Sequence, residues 1–443
     1  MRTFLSNLNP DFKKLLTGSG LVMMFKVAGA GAGYVFAYLI TTNYGAETFG
    51  IFELSLTALT IASLFARLGL GGALVRFIPE FIEKRDAHLL RKVYRLSLLL
   101  ALPFSIVLSI LLYLYSYELA MQFGNKGLAL PFRITAYFIP FATWFQLNAE
   151  AFRGMKKMAG YSILQRGTVV LIAIAAFFIL REQGFGVDES KTLPIVSFGV
   201  GVVILGVIGG ITTPRAISRI VVPKAKAISQ EISIKPLLKV AFPMLISTSM
   251  FMIMNWTDTL MIGYYLDESE VGIYRLAFKV ATLITFAQFA INSIAAPMFS
   301  SFKAKNDLKG LRKITRNIGY MNLAISAPIF IAILIFPNFV LDFFGEEFTA
   351  GVAPLVILSI GQIINALCGP VMYLLNMTGK EKQARNIIIV ASIINVILNV
   401  YLIPMYGLMG AAIATGVSTV VWNIMAVLRI KKEYGFISIP HPF

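Results

Sequence analysis

The sequence predicts an all-α integral membrane protein. About twelve transmembrane helices form two parallel-repeat six-helix bundles around a central cleft. Three observations carry this: an apolar composition, apolar runs that alternate with basic segments, and an internal repeat at an offset near 222 residues.

Composition excludes most other classes. Of 443 residues, 57% are hydrophobic and 14% charged, where soluble domains average about 45–50% and about 25%. Mean hydropathy is +0.77. A β-barrel would show alternating rather than continuous apolar runs. Cys368 stands alone, which excludes an internal disulfide and a thiolate metal cluster. His88 and His441 are the only histidines, and no P-loop is present, so neither a metal site nor an ATPase is expected. No cofactor is expected.

The first apolar run, 15–41, follows Lys13-Lys14, and with Ala28-Gly29-Ala30 it imitates a cleaved signal peptide. Lys26 interrupts that imitation, and a later segment mirrors the run, so it is read as a span. The second, 48–78, ends at Pro79. The next four, 93–116, 128–151, 162–180 and 193–213, complete the first half. The second half carries 239–262, 271–300, 318–340, 350–376, 386–404 and 407–428. Several exceed the ~20 residues that cross a bilayer, which tilt accommodates. Pro140, Pro297, Pro328 and Pro370 permit kinks inside spans. Connecting segments are short. The expected organisation is an N-terminal bundle at 1–213, a cytoplasmic linker at 214–238, and a C-terminal bundle at 239–443 with a loose tail.

Orientation follows from the cations. One side of the alternating runs, counted with the span ends that border it, receives 30 Lys and Arg, the other 3, and six lie deeper inside spans. By the positive-inside rule both termini face the cytoplasm. The net charge of +17 is thereby explained by topology and by contact with anionic membrane lipids. No nucleic-acid partner is needed.

The halves repeat. Leu15-Leu16 matches Leu237-Leu238, and Gly50-Ile51-Phe52 matches Gly272-Ile273-Tyr274. Leu90-Arg91-Lys92 matches Leu311-Arg312-Lys313, and Phe123-Gly124 matches Phe344-Gly345. Each half holds six spans, so the halves share one orientation, related by an axis along the membrane normal. Two such bundles facing a cleft are a transporter architecture, with alternating access by rocking.

Charges inside the spans nominate the site. Each costs about 2.5–3.5 kcal/mol at the bilayer centre on insertion scales. Lys26 lies roughly 16 Å beyond Leu15 at 1.5 Å per residue, near the midplane. Arg67 and Lys279 are also too deep for snorkelling. Arg275 and Lys279 share a helix face at i,i+4. These four cations, Lys26, Arg67, Arg275 and Lys279, would draw an anion, and phosphate suits them: Arg binds it bidentately and Lys as a point charge. Arg76, Arg133 and Glu150 lie near span ends, where snorkelling explains them. Glu53 is the repeat mate of Arg275. The pair either closes an outer gate or each member pairs within its own bundle. Asp258 either binds a coupling proton or cation, or serves in capping or interfacial solvation. Asn365, Asn395 and Asn399 suit hydrogen bonds between helices.

Four stretches resemble a known family: Tyr44-Gly45-Ala46-Glu47-Thr48-Phe49-Gly50; Leu68-Gly69-Leu70-Gly71-Gly72-Ala73-Leu74-Val75-Arg76-Phe77-Ile78-Pro79-Glu80; Glu270-Val271-Gly272-Ile273-Tyr274; and Gly407-Leu408-Met409-Gly410-Ala411-Ala412. The chain resembles the Wzx-type oligosaccharide flippases of polysaccharide biosynthesis, in the multidrug/oligosaccharidyl-lipid/polysaccharide (MOP) exporter superfamily. The resemblance implies a multi-pass protein of the cell membrane that moves an oligosaccharide on a polyprenyl (pyro)phosphate between leaflets. It implies Lys26, Arg67, Arg275 and Lys279 as head-group contacts, H+ or Na+ as the coupling ion, and polysaccharide-assembly membrane proteins as partners.

Two alternatives compete. A multidrug and toxin extrusion (MATE) antiporter of the same superfamily would use membrane carboxylates, and Asp258 keeps it open, while span 1 has Lys26 and no acid. A membrane glycosyltransferase would carry a large outer loop with acidic groups. The outer loops here are short, and Asp188-Glu189 and Asp267-Glu268 read as solvated turns. The chain is therefore expected not to be an enzyme.

Overall fold

The computed structural model describes residues 10–184, 191–220 and 234–439. Among these are seventeen α-helices, three short 3-10 turns and no strand. The first half holds α1 (Pro10–Ala66), α2 (Leu70–Glu83), α3 (Ala87–Leu114), α4 (Ser116–Gln122), α5 (Ala129–Gly154), α6 (Met158–Ile163), α7 (Arg166–Glu182) and α8 (Leu193–Ser218). The second half holds α9 (Ile234–Tyr265), α10 (Glu268–Ala281), α11 (Phe286–Ala304), α12 (Leu308–Ile335), α13 (Pro337–Asp342), α14 (Val352–Cys368), α15 (Val371–Met377), α16 (Glu381–Tyr406) and α17 (Leu408–Tyr434).

Eight helices are long and apolar enough to cross a membrane, and α9 makes a ninth as a bent span. The remaining three of the twelve expected spans have physical explanations. α1 contains two spans joined through Gly45 (φ 79°, ψ −174°), a left-handed break that glycine adopts without steric cost. α7 has 17 residues, about 25 Å of helix. The eighth span is split into α10 and α11 by a 3-10 turn at Thr282–Thr285.

Breaks inside spans depart from the continuous runs expected. The second span is interrupted between α1 and α2, where Leu68 (φ 51°) and Gly69 (φ 75°) are left-handed. A Cβ on Gly69 would stand 2.0 Å from the Ala241 carbonyl oxygen, so this break also admits a close approach by α9. The tenth span is divided into α14 and α15 at Gly369 and Pro370, where the proline was expected to permit a kink.

The chain divides into two compact units. One contains the described residues to Tyr44 and those of Ile51–Ser249; the other contains Gly45–Gly50 and the described residues from Met250 onward. In the first, α5 is the hub, packing on α2, α3 and α8. In the second, α17 packs on α14 and α16, and α14 on α10 and α12.

The sequence repeat is also a structural repeat. Arg85 and Asn306 are both left-handed (φ 54° and 51°). Each precedes an aspartate N-cap: Asp86 accepts from the Leu89 amide at 2.8 Å, and Asp307 from the Gly310 amide at 2.8 Å. Such caps satisfy amides that the helix start leaves unpaired.

The loose tail expected from the sequence is corrected as far as Ile439. Left-handed Gly435 ends α17, and the chain turns back so that Phe436 and Ser438 are buried. Phe436 joins an apolar cluster with Phe299, Ile318, Cys368 and Ile430. The Tyr434 hydroxyl donates to Thr378 Oγ1 at 2.7 Å. His441 and residues 221–233 of the expected linker lie outside the described residues, as do Asp188 and Glu189.

Candidate functional site

The most developed polar site is built on Asp258. Asp258 lies two turns from the end of α9, is the only acidic residue of that helix, and is 3% exposed. Four neutral side chains donate to its carboxylate. Tyr274 of α10 reaches Oδ2 at 2.7 Å, and Thr415 of α17 makes a short bond to the same atom. On Oδ1, Asn399 of α16 donates at 2.6 Å and Asn395, one turn earlier, at 3.4 Å. The amides are linked to each other, Asn399 to Asn395 at 3.2 Å, and Asn395 also donates to Thr415 at 3.2 Å.

Helix geometry explains the gathering. Asn395 and Asn399 are i,i+4 and present both amides on one face of α16. Among the described residues, no lysine or arginine pairs with Asp258. A carboxylate in such surroundings keeps its charge only through dense hydrogen bonding, each bond to a charged group contributing about 1.5–3 kcal/mol. The Asn399 amide oxygen and the Thr259 hydroxyl are buried without a hydrogen-bond partner among the described residues. The cluster thus offers a carboxylate, amide oxygens and hydroxyls: hard oxygen donors suited to a proton or a hard cation.

The first unit has the same contact with the chemistry removed. An offset of 222 maps Asp258 to Phe36 and Tyr274 to Phe52. Phe36 and Phe52 meet edge to face at 5.5 Å. Phe36 also meets Phe177 of α7 at 6.2 Å, as Asp258 meets α16. An ionisable, hydrogen-bonded centre in one unit is a sealed aromatic cluster in the other.

Arg275 and Lys279 lie one turn apart on α10, both half-buried. The Arg275 guanidinium sits 5.5 Å from the centre of the Phe278 ring, a cation–π geometry. Phe278 in turn stacks on Tyr274 at 6.4 Å, with the rings 23° apart. Arg67 belongs to the other unit, at the break after α1. Its Nε donates to the Ser63 carbonyl at 3.0 Å, and it feels the Glu150 carboxylate. Glu53 is buried within α1. Lys26 falls in α1, and its side chain lies outside the described residues. The residues expected to snorkel have local partners. Arg133 donates to Ser116 at 2.9 Å and lies 5.8 Å from the Tyr113 ring. Glu150 pairs with Arg153 at 3.3 Å.

Tyr274 and Thr415 escaped the sequence reading as members of the site. Asn395 and Asn399 were visible as polar residues in an apolar span, but not as partners of Asp258. A signal did exist for Tyr274: it follows Gly272-Ile273 where the first half has Phe52, so the repeat differs there by one hydroxyl.

A tight crossing lies beside this site. Gly45–Gly50 packs on the start of α10. A Cβ on Gly50 would be 1.7 Å from the Glu268 carbonyl oxygen, and one on Gly272 would be 2.2 Å from that of Ala46. The two repeat-related glycines therefore lie back to back. The Ala46 amide donates to Glu347 Oε1 at 2.6 Å, supplying the partner that the Gly45 break removes. Phe49, fully buried, meets Phe348 at 6.5 Å.

Residues 15–303 match the family described as polysaccharide biosynthesis protein, and residues 243–401 match the MatE family. A probable low-salt glycan biosynthesis flippase of Haloferax volcanii is 30% identical over 189 residues, which are 42% of this chain and 39% of that protein. The chain thus matches about two fifths of that relative's length. The inward closed structure of the lipid II flippase MurJ aligns with a TM-score of 0.70 at 17% identity, over 92% of this chain and 87% of that one. A multidrug resistance MATE family transporter of the MOP superfamily aligns at 0.66 and 14% identity, over 90% and 94%. These structures share the fold. A family match across well over half of the sequence, on a fold of about twelve membrane helices, makes this multi-pass membrane chain a member of the polysaccharide biosynthesis protein family.

Proposed function

We propose that this protein is a flippase. It carries a polyprenyl-(pyro)phosphate-linked oligosaccharide from the inner to the outer leaflet of the cell membrane by alternating access. The observation that carries the reading is the polysaccharide biosynthesis match over 15–303. The 30% identity to a glycan biosynthesis flippase supports it. Lys26, Arg67, Arg275 and Lys279 receive the pyrophosphate. Glu53 and Arg275 serve the outer gate, both termini face the cytoplasm, and the substrate passes to polysaccharide-assembly membrane proteins outside. No chemistry is performed on the substrate. Asp258 takes the coupling cation, H+ or Na+, as co-transported cargo on the oxygen donors of Asn395, Asn399 and Thr415.

A second reading is a cation-coupled drug antiporter, favoured by the MatE match over 243–401, which contains Asp258. One experiment separates them. Wild type, Lys26→Ala and Lys279→Ala are reconstituted in proteoliposomes with a fluorescent polyprenyl-pyrophosphate oligosaccharide. Flipping by wild type that falls in both folded variants supports the flippase. Exchange of protons for a cationic dye without lipid movement, abolished by Asp258→Asn, supports the antiporter.

A further inference from the structure

We propose that Tyr274 is a positioning residue that ties cation occupancy at Asp258 to α10, and through Phe278 to Arg275. The inference rests on the cation-coupled reading of Asp258 given above and names how that site acts on the substrate side.

The contacts form a continuous path. The Tyr274 side chain is fully buried, so its hydroxyl has no water to turn to. It donates to Asp258 Oδ2 at 2.7 Å, bridging α9 and α10. Its ring stacks on Phe278 at 6.4 Å, whose face carries the Arg275 guanidinium at 5.5 Å. Two residues before Tyr274, Gly272 packs against the Ala46 carbonyl in the crossing with Gly45–Gly50. Residues 268–281 form one unbroken helix, so a change at Tyr274 is transmitted to Gly272 and Arg275 together.

The device needs a contact that differs between the two occupancies, because a ligand shifts a conformational equilibrium only through differential interaction. The Tyr274 bond is such a contact. A cation or proton on the carboxylate competes for the Oδ2 lone pairs and removes the charge that strengthens the bond. The bond to α10 is therefore strongest when the carboxylate is bare and weakens when it is loaded. The repeat supports the assignment. Where Asp258 is replaced by Phe36, Tyr274 is replaced by Phe52, so the hydroxyl occurs in the half that has the carboxylate.

The test uses the full chain in proteoliposomes with a fluorescent polyprenyl-pyrophosphate oligosaccharide, under an imposed Na+ gradient and, separately, a pH gradient. The cation whose gradient accelerates wild-type flipping is then used throughout, and its effect on melting temperature is measured in parallel. Couplings of this kind amount to about 5–150-fold. In Tyr274→Phe, which keeps the ring and loses the hydroxyl, the acceleration should fall below about twofold. The cation-dependent rise in melting temperature should persist, since Asn395, Asn399 and Thr415 remain. Phe278→Leu leaves every Asp258 contact intact and should uncouple in the same way; it decides the matter if Tyr274→Phe does not fold. The proposal is overturned if Tyr274→Phe keeps most of the acceleration. It is also overturned if the melting shift disappears with the acceleration, since Tyr274 would then be a ligand of the cation site. If neither gradient accelerates wild type, or if Asp258→Asn keeps the acceleration, it is the cation-site reading that fails first.

Discussion

Substituting Gly50 by alanine should open the crossing between Gly45–Gly50 and α10. The added Cβ would sit 1.7 Å from the Glu268 carbonyl oxygen. A relaxed C–H···O contact needs about 3.3–3.6 Å, so the backbones must part by roughly 1.5 Å or more. Both obstructing groups are backbone, which cannot rotate away. Parting them loosens Ala46, Thr48 and Phe49, which are 0%, 3% and 0% exposed. Overpacking of this kind costs about 1–3 kcal/mol, and about 1.4 kcal/mol is a tenfold change in population. The assay is maleimide labelling of Thr48→Cys in a Cys368→Ser background, which leaves one reactive thiol. Labelling should accelerate about tenfold in Gly50→Ala. Gly272→Ala should act similarly, and the double variant should fall short of the sum, because both methyls widen the same gap. An unchanged labelling rate in Gly50→Ala, or strict additivity, would refute the reasoning.

Other outcomes follow from the same geometry. Thr415→Val removes a donor to the buried Asp258 carboxylate while keeping shape, and should lower apparent stability by about 1.5–3 kcal/mol in a thermal melt without added cation. Phe436→Ala should cost about 3 kcal/mol by opening the cluster around Phe299 and Ile318, read as earlier loss of monodispersity on heating. Beyond the last span, Lys380 and then Arg429 hold the Glu433 carboxyl below its usual range. That stabilisation is present above the ordinary carboxylate pKa and is lost as pH falls through the lowered value. Being partly solvated, it should be worth about 0.2–1 kcal/mol, and Glu433→Gln should flatten the acid limb of the melting curve by that amount.

The fold was legible because it depends on quantities that a sequence carries additively. Apolar runs and the basic segments between them anticipated an all-helical fold of about twelve membrane helices, and the offset of 222 matched Gly50 to Gly272 without revealing that the two glycines meet at the α1–α10 crossing. The break at Thr282–Thr285 was hidden because hydropathy is blind to backbone dihedrals. The tail was misread because its burial depends on an apolar cluster with Phe299, Ile318 and Cys368, far away in the chain. Asp258 was conspicuous as a charge in an apolar helix. Its partners come from positions up to 157 residues later, and each is an ordinary polar residue until the bundle gathers them. Arg275 was nominated as an anion contact. That Phe278 and Tyr274 join it to Asp258 follows from ring positions that spacing alone did not reveal.

The divergence of the repeat at Phe36 and Asp258 has an energetic consequence. In the first unit, edge-to-face rings at 5.5 and 6.2 Å stabilise the helices unconditionally, at about 0.5–1.5 kcal/mol per pair. In the second, the equivalent position holds a buried carboxylate whose stability is conditional on what neutralises it. A cation at 100 times its dissociation constant would add about 2.7 kcal/mol, and this gain must appear where the ligands are. Hydrogen exchange should therefore show protection rising with cation in α9, α16 and α17, with α7 and the Phe36 segment of α1 unchanged. Asp258→Asn should abolish the rise. Equal protection of α7, or a rise that survives Asp258→Asn, would mean that the cation acts through bulk screening. The contrast between the two units would then be a difference in packing, without a role in coupling.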